Sequence, residues 1–104
     1  MNDYAADIRN YTATSVNGAA IAAIVRYCGI ALRNSDSALV SGSDPRELGT
    51  VRQGFAAKKL GLDPQAADAG IAVVLSRMKG VPRKSRVTFY YLLAEATGTL
   101  EKLR

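Results

Sequence analysis

Residues 43–62 read SDPRELGTVRQGFAAKKLGL, and this stretch carries the start and the apolar face of one helix. Asp44 suits the position that caps the first turn, because its carboxylate can accept hydrogen bonds from free backbone N–H groups. Pro45 follows at the first helical position, where its missing N–H costs nothing. Glu47, three residues after the cap, can complete a capping box. The apolar residues recur at helical spacing and form one stripe: Leu48, Val51, Phe55, Ala56 and Leu60.

The end of this helix and the start of the next are equally clear. Gly61 suits the left-handed residue that ends a helix, and Leu62 is the apolar residue expected just beyond it. Asp63 and Pro64 then repeat the start signal of Asp44 and Pro45. Similar capping and spacing patterns predict four other helices, at residues 2–12, 18–32, 64–79 and 84–97. The last of these is apolar in nearly every direction, which predicts the central helix of the fold.

The remaining segments predict short connections around one core. Residues 33–42 lack helical spacing and are rich in Asn, Ser and Asp, so we expect a loop anchored by Leu39 and Val40. Residues 99–104 are expected to add one last turn, and no alternating run of useful length predicts a strand. The sequence therefore predicts an all-α fold, a compact single-domain bundle of four to five helices over residues 1–104 with orthogonal or irregular packing.

The composition limits the kinds of chemistry that the chain can support. It has no histidine, which is the commonest general base and metal ligand, and one cysteine, Cys28, on the predicted apolar face of the second helix. These counts exclude a structural zinc site and an internal disulfide, and no apolar run reaches 18 residues. We expect a bacterial, cytoplasmic protein that is not an enzyme, has no catalytic residues, no metal and no cofactor, and does not bind membranes.

The net charge of +5 resides entirely in the last quarter of the chain. Residues 1–76 hold seven basic and seven acidic side chains, whereas residues 77–104 hold seven basic and two acidic ones. Five cations fall on or beside one predicted connection: Arg77, Lys79, Arg83, Lys84 and Arg86. They are the candidate residues for binding an anion or the phosphates of a nucleic acid. The alternative is an ordinary solvated basic loop.

A second candidate site lies within the helix of residues 44–62. At 100° per residue, Arg52 and Lys59 both project from the middle of the apolar stripe. One interpretation is that their aliphatic stems cover apolar surface while their charges reach water. Another is a buried ion pair with Asp36, Asp68 or Glu95, and the third is a cationic pocket for a phosphate or a carboxylate.

Two motifs carry a resemblance to a known family. The segment SGSDPRELGTVRQGFAAKKLGL is followed about 25 residues later by RKSRVTFYYLL, and YAADIRNY stands near the N-terminus. Together they resemble a family of short bacterial proteins known as domain of unknown function 2853. The resemblance implies an all-helical domain and supplies no activity, ligand or partner.

The sequence thus favours a binding or interaction module whose partner is an unknown protein or a second copy of the chain. The alanine and glycine residues of the second and fourth predicted helices would allow close approach of another helix, which makes a homodimer the expected form of self-association. The alternative function is weak, sequence-independent binding of nucleic acid or phosphate through residues 77–86.

Overall fold

The computed structural model describes residues 4–12, 15–33, 38–42, 44–81 and 83–103. Helix α5 (Arg86–Ala96) lies at the centre, and every residue from Arg86 to Ala94 is buried. It contacts most of the other elements, because a helix that is apolar on all sides can bury itself only if neighbours surround it. The predictions of a central last helix and of an all-α bundle with four to five helices are confirmed.

The other described helices precede α5 in the chain. They are α1 (Tyr4–Arg9), α2 (Gly18–Cys28), α3 (Pro45–Val51) and α4 (Pro64–Arg77). Short 3-10 turns follow α2 at Gly29–Arg33 and α5 at Leu100–Lys102. The buried apolar side chains form one cluster that includes Ile8, Ile24, Val74 and Leu103. Residues 2 and 3, where the first helix was predicted to begin, lie outside the described residues.

The helix predicted at residues 44–62 divides into two forms. Asp44 accepts a hydrogen bond from the Arg46 N–H at 3.0 Å, as the capping pattern predicted. After α3 the chain continues as a π-helix, Arg52–Lys59, which we call the π segment. The four stripe residues from Val51 onward are buried, and Gly61 ends the helix with φ of 69°. The predicted stripe and C-terminus are confirmed.

The predicted capping box does not form, because the carboxylate of Glu47 binds elsewhere. The backbone N–H of Asp44 donates to the carbonyl of Ser41 at 3.3 Å, and Glu47 forms an ion pair with Arg86. The expectation for Glu47 was therefore wrong. A buried guanidinium needs a carboxylate, whereas the Asp44 N–H already has the Ser41 carbonyl as its acceptor.

The second helix ends earlier than its apolar spacing predicted. α2 stops at Cys28 because Gly29 adopts a positive φ of 50° and donates its N–H to the carbonyl of Val25. Glycine adopts this conformation without the steric penalty of a side chain. The apolar spacing continues to Leu32, but the backbone there is a 3-10 turn.

Two short strands were not predicted. β1 (Leu39–Ser41) and β2 (Arg83–Ser85) form an antiparallel pair in which Val40 lies opposite Lys84. Val40 is fully buried, so the expectation that it anchors this segment is confirmed. Three-residue strands are too short to show an alternating pattern, and only the fold brings these two segments together.

The glycine of α4, Gly70, lies in a close contact within the fold. A Cβ atom at Gly70 would lie 2.7 Å from Leu93 Cδ1 on α5 and 2.6 Å from Cγ2 of Thr97, the residue just after α5. The close approach that this glycine allows is therefore between α4 and α5 of the same chain. Within the described ranges, no helix combines the length and apolarity needed to cross a membrane.

Candidate functional site

An open cleft lies where three parts of the chain meet: α2, the helix formed by α3 and the π segment, and α5. Its volume is about 260 Å³. Each of the three elements contributes side chains or backbone to it, and the described lining residues are Tyr27, Cys28, Thr50, Gly54, Phe55, Arg86 and Tyr90. Aromatic rings and one cation therefore line a single depression.

The π segment shapes one wall of this cleft. Its hydrogen bonds connect residues five apart, and the N–H of Leu60 donates to the carbonyl of Phe55 at 3.1 Å. π-Helices are rare and often occur at functional sites. Phe55 is buried beside the cleft, and Gly54 leaves space because it has no side chain. A Cβ at Gly54 would meet the Tyr27 hydroxyl at 3.6 Å, an ordinary contact.

Three aromatic rings form the apolar part of the cleft. Phe55 and Tyr90 stack with ring centroids 4.1 Å apart and an interplanar angle of 14°. Tyr27 packs edge-on against Phe55 at 5.3 Å and 64°. Phe55 and Tyr90 are almost completely buried, whereas Tyr27 remains 42% exposed at the rim. Most of the accessible aromatic surface in the cleft therefore belongs to Tyr27, and Phe55 and Tyr90 contribute smaller parts of the wall.

Arg86 supplies the positive charge of the cleft. It is the first residue of α5 and is only 8% exposed. Its Nη1 donates to the Tyr90 hydroxyl at 2.9 Å, and its Nη2 binds Glu47 and the Leu39 carbonyl. Burial lowers the pKa of Arg86, but Tyr90 and Glu47 outweigh burial and leave the pKa above its ordinary value. The guanidinium is therefore charged at every physiological pH.

Two tyrosines that line the cleft, Tyr27 and Tyr90, are protonated at pH 7. Burial raises the pKa of Tyr90, with Arg86 opposing part of that effect. Burial also raises the pKa of Tyr27. Among the described lining residues, the cleft at neutral pH thus holds one positive charge and no negative charge.

Cys28 is expected to react slowly. Burial raises the pKa of its thiol from 9.0 to about 11, although Arg86 acts in the opposite direction. At pH 8 this lowers the thiolate fraction about 100-fold, and the greater nucleophilicity of a more basic thiolate recovers about tenfold. We therefore expect iodoacetamide to alkylate Cys28 about tenfold more slowly in the folded protein than in the same chain unfolded in urea.

The pH dependence of this reaction has a defined sign. The alkylation rate of the folded protein should rise until about pH 11. The pKa of the Cys28 thiol is higher in the folded chain than in the unfolded chain. The thiol therefore contributes to the free energy of unfolding below pH 9.0, and this contribution is lost as the pH rises through about 11. Equal alkylation rates in the folded and unfolded chains at pH 8 would contradict the raised pKa.

The structure separates the five cations predicted as an anion or nucleic-acid site. Arg77 Nη1 forms an ion pair with Glu95 Oε1 at 2.6 Å, and Lys79 is exposed. Lys84 is 5% exposed and donates through Nζ to the Val81 carbonyl. Arg86 is buried in the cleft. The backbone of Arg83 belongs to β2, and its side chain lies outside the described part of the chain.

The expectation that these cations share one exposed connection was therefore wrong for Lys84 and Arg86. Sequence spacing places the charges close together along the chain, but the β1–β2 pairing and the start of α5 turn these two side chains inward. Burial there is tolerated because each cation has oxygen partners in the fold.

Arg52 and Lys59 also differ from the predicted pocket. Arg52 Nε pairs with Asp68 Oδ1 at 2.5 Å, and the two side chains are 34% and 55% exposed. Of the three partners considered for a buried ion pair, Asp68 is the one that Arg52 contacts, but the pair lies at the surface rather than in the interior. Lys59 is half-buried. The predicted angles assumed 3.6 residues per turn, whereas the π segment begins at Arg52 and has wider turns.

Sequence reasoning missed most of the cleft. Tyr27 lies off the apolar stripe of α2, and Tyr90 was assigned to the core because its whole helix is apolar. The one available signal was Gly54, because an isolated glycine inside a helical pattern often has a packing or functional reason. No local sequence pattern predicts a π-helix.

The comparison with protein families agrees with the motifs. The chain matches a family described as protein of unknown function (DUF2853) over residues 3–101. The chain belongs to this family. Membership in DUF2853 confirms the resemblance carried by the SDPREL and FYYLL motifs, and the family's description assigns no activity. A comparison with curated proteins finds no significant match.

Proposed function

We propose that this chain is a non-enzymatic binding module and that the aromatic cleft is its binding site. The observation that carries the proposal is the cleft itself, in which three aromatic rings and a buried guanidinium face a space of about 260 Å³. Small-molecule sites in proteins combine largely apolar walls with a few fixed polar groups. The π segment supports the same conclusion, since such helices often mark functional sites.

A binding role fits the protonation of the cleft better than a catalytic one. Tyr27, Cys28 and Tyr90 all have raised pKa values and stay protonated at pH 7. Arg86 stays charged and cannot accept a proton. None of these four groups is poised to act as a base or a nucleophile at neutral pH.

The proposal is tested by locating bound fragments. Small aromatic fragments titrated into the ¹⁵N-labelled protein should shift the backbone amide resonances of residues that line the cleft, such as Thr50, Gly54 and Phe55. A Gly54→Leu variant should lose this binding, because its side chain fills the space while the Cβ makes only an ordinary contact. Thermal unfolding would verify that the variant is folded.

Gly49→Leu provides the matched control. Gly49 lies in α3, and a Cβ there would approach only Arg52 Nη1, at 4.0 Å. This variant should bind fragments like the unmodified protein. Fragments that shift amides elsewhere, or that still bind to the folded Gly54→Leu variant, would contradict the assignment of the cleft.

The other predicted partners remain predictions. Nucleic-acid or phosphate binding through residues 77–86 would have to rely on fewer exposed cations, because Lys84 and Arg86 are buried. A homodimer would have to use surface other than Gly70, which packs against α5. Neither has an observation that favours it over the cleft.

A further inference from the structure

Resting on the proposed function, we infer that the cleft selects a small planar aromatic carboxylate. The volume of the cleft limits the size of the ligand. An apolar cavity of about 150 Å³ can hold a benzene ring. The cleft, at about 260 Å³, therefore suits a single ring or a fused pair of rings that bears one short substituent.

The walls favour a flat molecule. The Phe55 and Tyr90 rings are fixed against each other by stacking, and Tyr27 closes the rim with its ring at a steep angle to Phe55. Aromatic rings pack well on such surfaces in offset or edge-to-face arrangements. Gly54 leaves space in the lining because it has no side chain, and a Cβ there would meet only the Tyr27 hydroxyl, at 3.6 Å.

The charge of the cleft favours an anionic group. Arg86 contributes the positive charge, and the carboxylate that balances it, Glu47, binds Nη2 and is not among the described lining residues. A ligand anion beside the Tyr90 hydroxyl would therefore lie near the guanidinium and would face no carboxylate of the described lining. A weakly hydrated guanidinium is well suited to such a partner.

The Tyr90 hydroxyl gives this anion a directed hydrogen bond. Its oxygen accepts from Arg86 Nη1 at 2.9 Å, which leaves its proton to be donated. The raised pKa of Tyr90 means that the proton is present at pH 7. A donor polarised by a neighbouring guanidinium binds a carboxylate oxygen more strongly than a neutral amide oxygen.

The test compares two probes of the same shape. Indole-3-carboxylate and indole-3-carboxamide are both planar and differ in charge, and each would be titrated into the protein by calorimetry at pH 7. The carboxylate should bind at least about tenfold more tightly. Equal affinities would overturn this inference while leaving the cleft as a binding site, whereas no binding of either probe together with no fragment binding would overturn the proposed function as well.

Two variants test the role of the hydroxyl. Tyr90→Phe keeps the aromatic wall and should reduce the preference for the carboxylate by about tenfold. Tyr91→Phe is the matched control, because its hydroxyl accepts a hydrogen bond from the Asn17 N–H at 2.8 Å and is not part of the described lining. A Tyr90→Phe protein that keeps the full preference, or a Tyr91→Phe protein that loses it equally, would overturn the assignment of Tyr90.

Discussion

Replacing Arg86 with methionine is expected to lower the free energy of unfolding by about 3 kcal/mol. Arg86 joins three parts of the fold, because its side chain binds Glu47 of α3, Tyr90 of α5 and the Leu39 carbonyl of β1. Methionine fills similar space but donates no hydrogen bond. The Glu47 carboxylate would then remain half-buried without its cation, and that penalty exceeds the value of the contact itself.

The expected loss of stability lies near the low end of the losses that follow when one partner of a buried ion pair is removed. The Glu47 side chain is 26% exposed, so water can partly solvate it after the cation is removed. The measurement is urea unfolding followed by circular dichroism, with the slope of the transition compared between variants.

A double variant serves as the control for this mechanism. Arg86→Met combined with Glu47→Met removes both charges, and it should be about 1 kcal/mol more stable than Arg86→Met alone. If Arg86→Met changed the free energy of unfolding by less than about 0.5 kcal/mol, the pair would not bear on stability. If the double variant were no more stable than the single one, an unpaired carboxylate would not be the cause.

Replacing Phe55 with alanine is expected to cost about 4 kcal/mol of stability. Phe55 is 1% exposed, stacks on Tyr90 and contacts Tyr27, so its removal leaves a cavity and also removes the ring interactions. Since domains of this size are stable by only about 5–15 kcal/mol, the variant should unfold at a much lower urea concentration.

Two other substitutions distinguish the loss of packed volume from the loss of a partly exposed ring. Phe55→Leu keeps most of the apolar volume and should cost less than about 1.5 kcal/mol. Tyr27→Ala removes a ring of the same cluster that is 42% exposed, and it should cost about 1 kcal/mol or less. Similar losses for Phe55→Ala and Tyr27→Ala would show that the Phe55 ring is not held in a packed interior.

The boundaries of the helices were largely predictable because their signals are local. Asp63 accepts a hydrogen bond from the Ala66 N–H at 2.7 Å, just as Asp44 caps α3. Gly61 has a positive φ beyond the helix that it was predicted to end, and Gly80 and Gly98 have positive φ just beyond the helices predicted at residues 64–79 and 84–97. Each of these features depends on a few neighbouring residues.

The candidate site was less predictable because its contacts connect distant residues. Arg86 binds Glu47, 39 positions away, and the Leu39 carbonyl, 47 positions away. The capping pattern gave Glu47 a local partner, the Asp44 N–H, and no nearby residue shows that a distant cation binds its carboxylate instead.

By itself, therefore, the sequence determined the helical class, the caps, the apolar faces and the central position of α5, because hydrophobic spacing and capping act within a few residues. The tertiary structure decided the β1–β2 pair, the π segment and the positions of the cations. It also created the cleft, because the rings of Tyr27, Phe55 and Tyr90 meet only after three separate elements pack together. Burial and partners across the fold, which no short stretch of sequence contains, determine whether a charged side chain faces solvent or the interior.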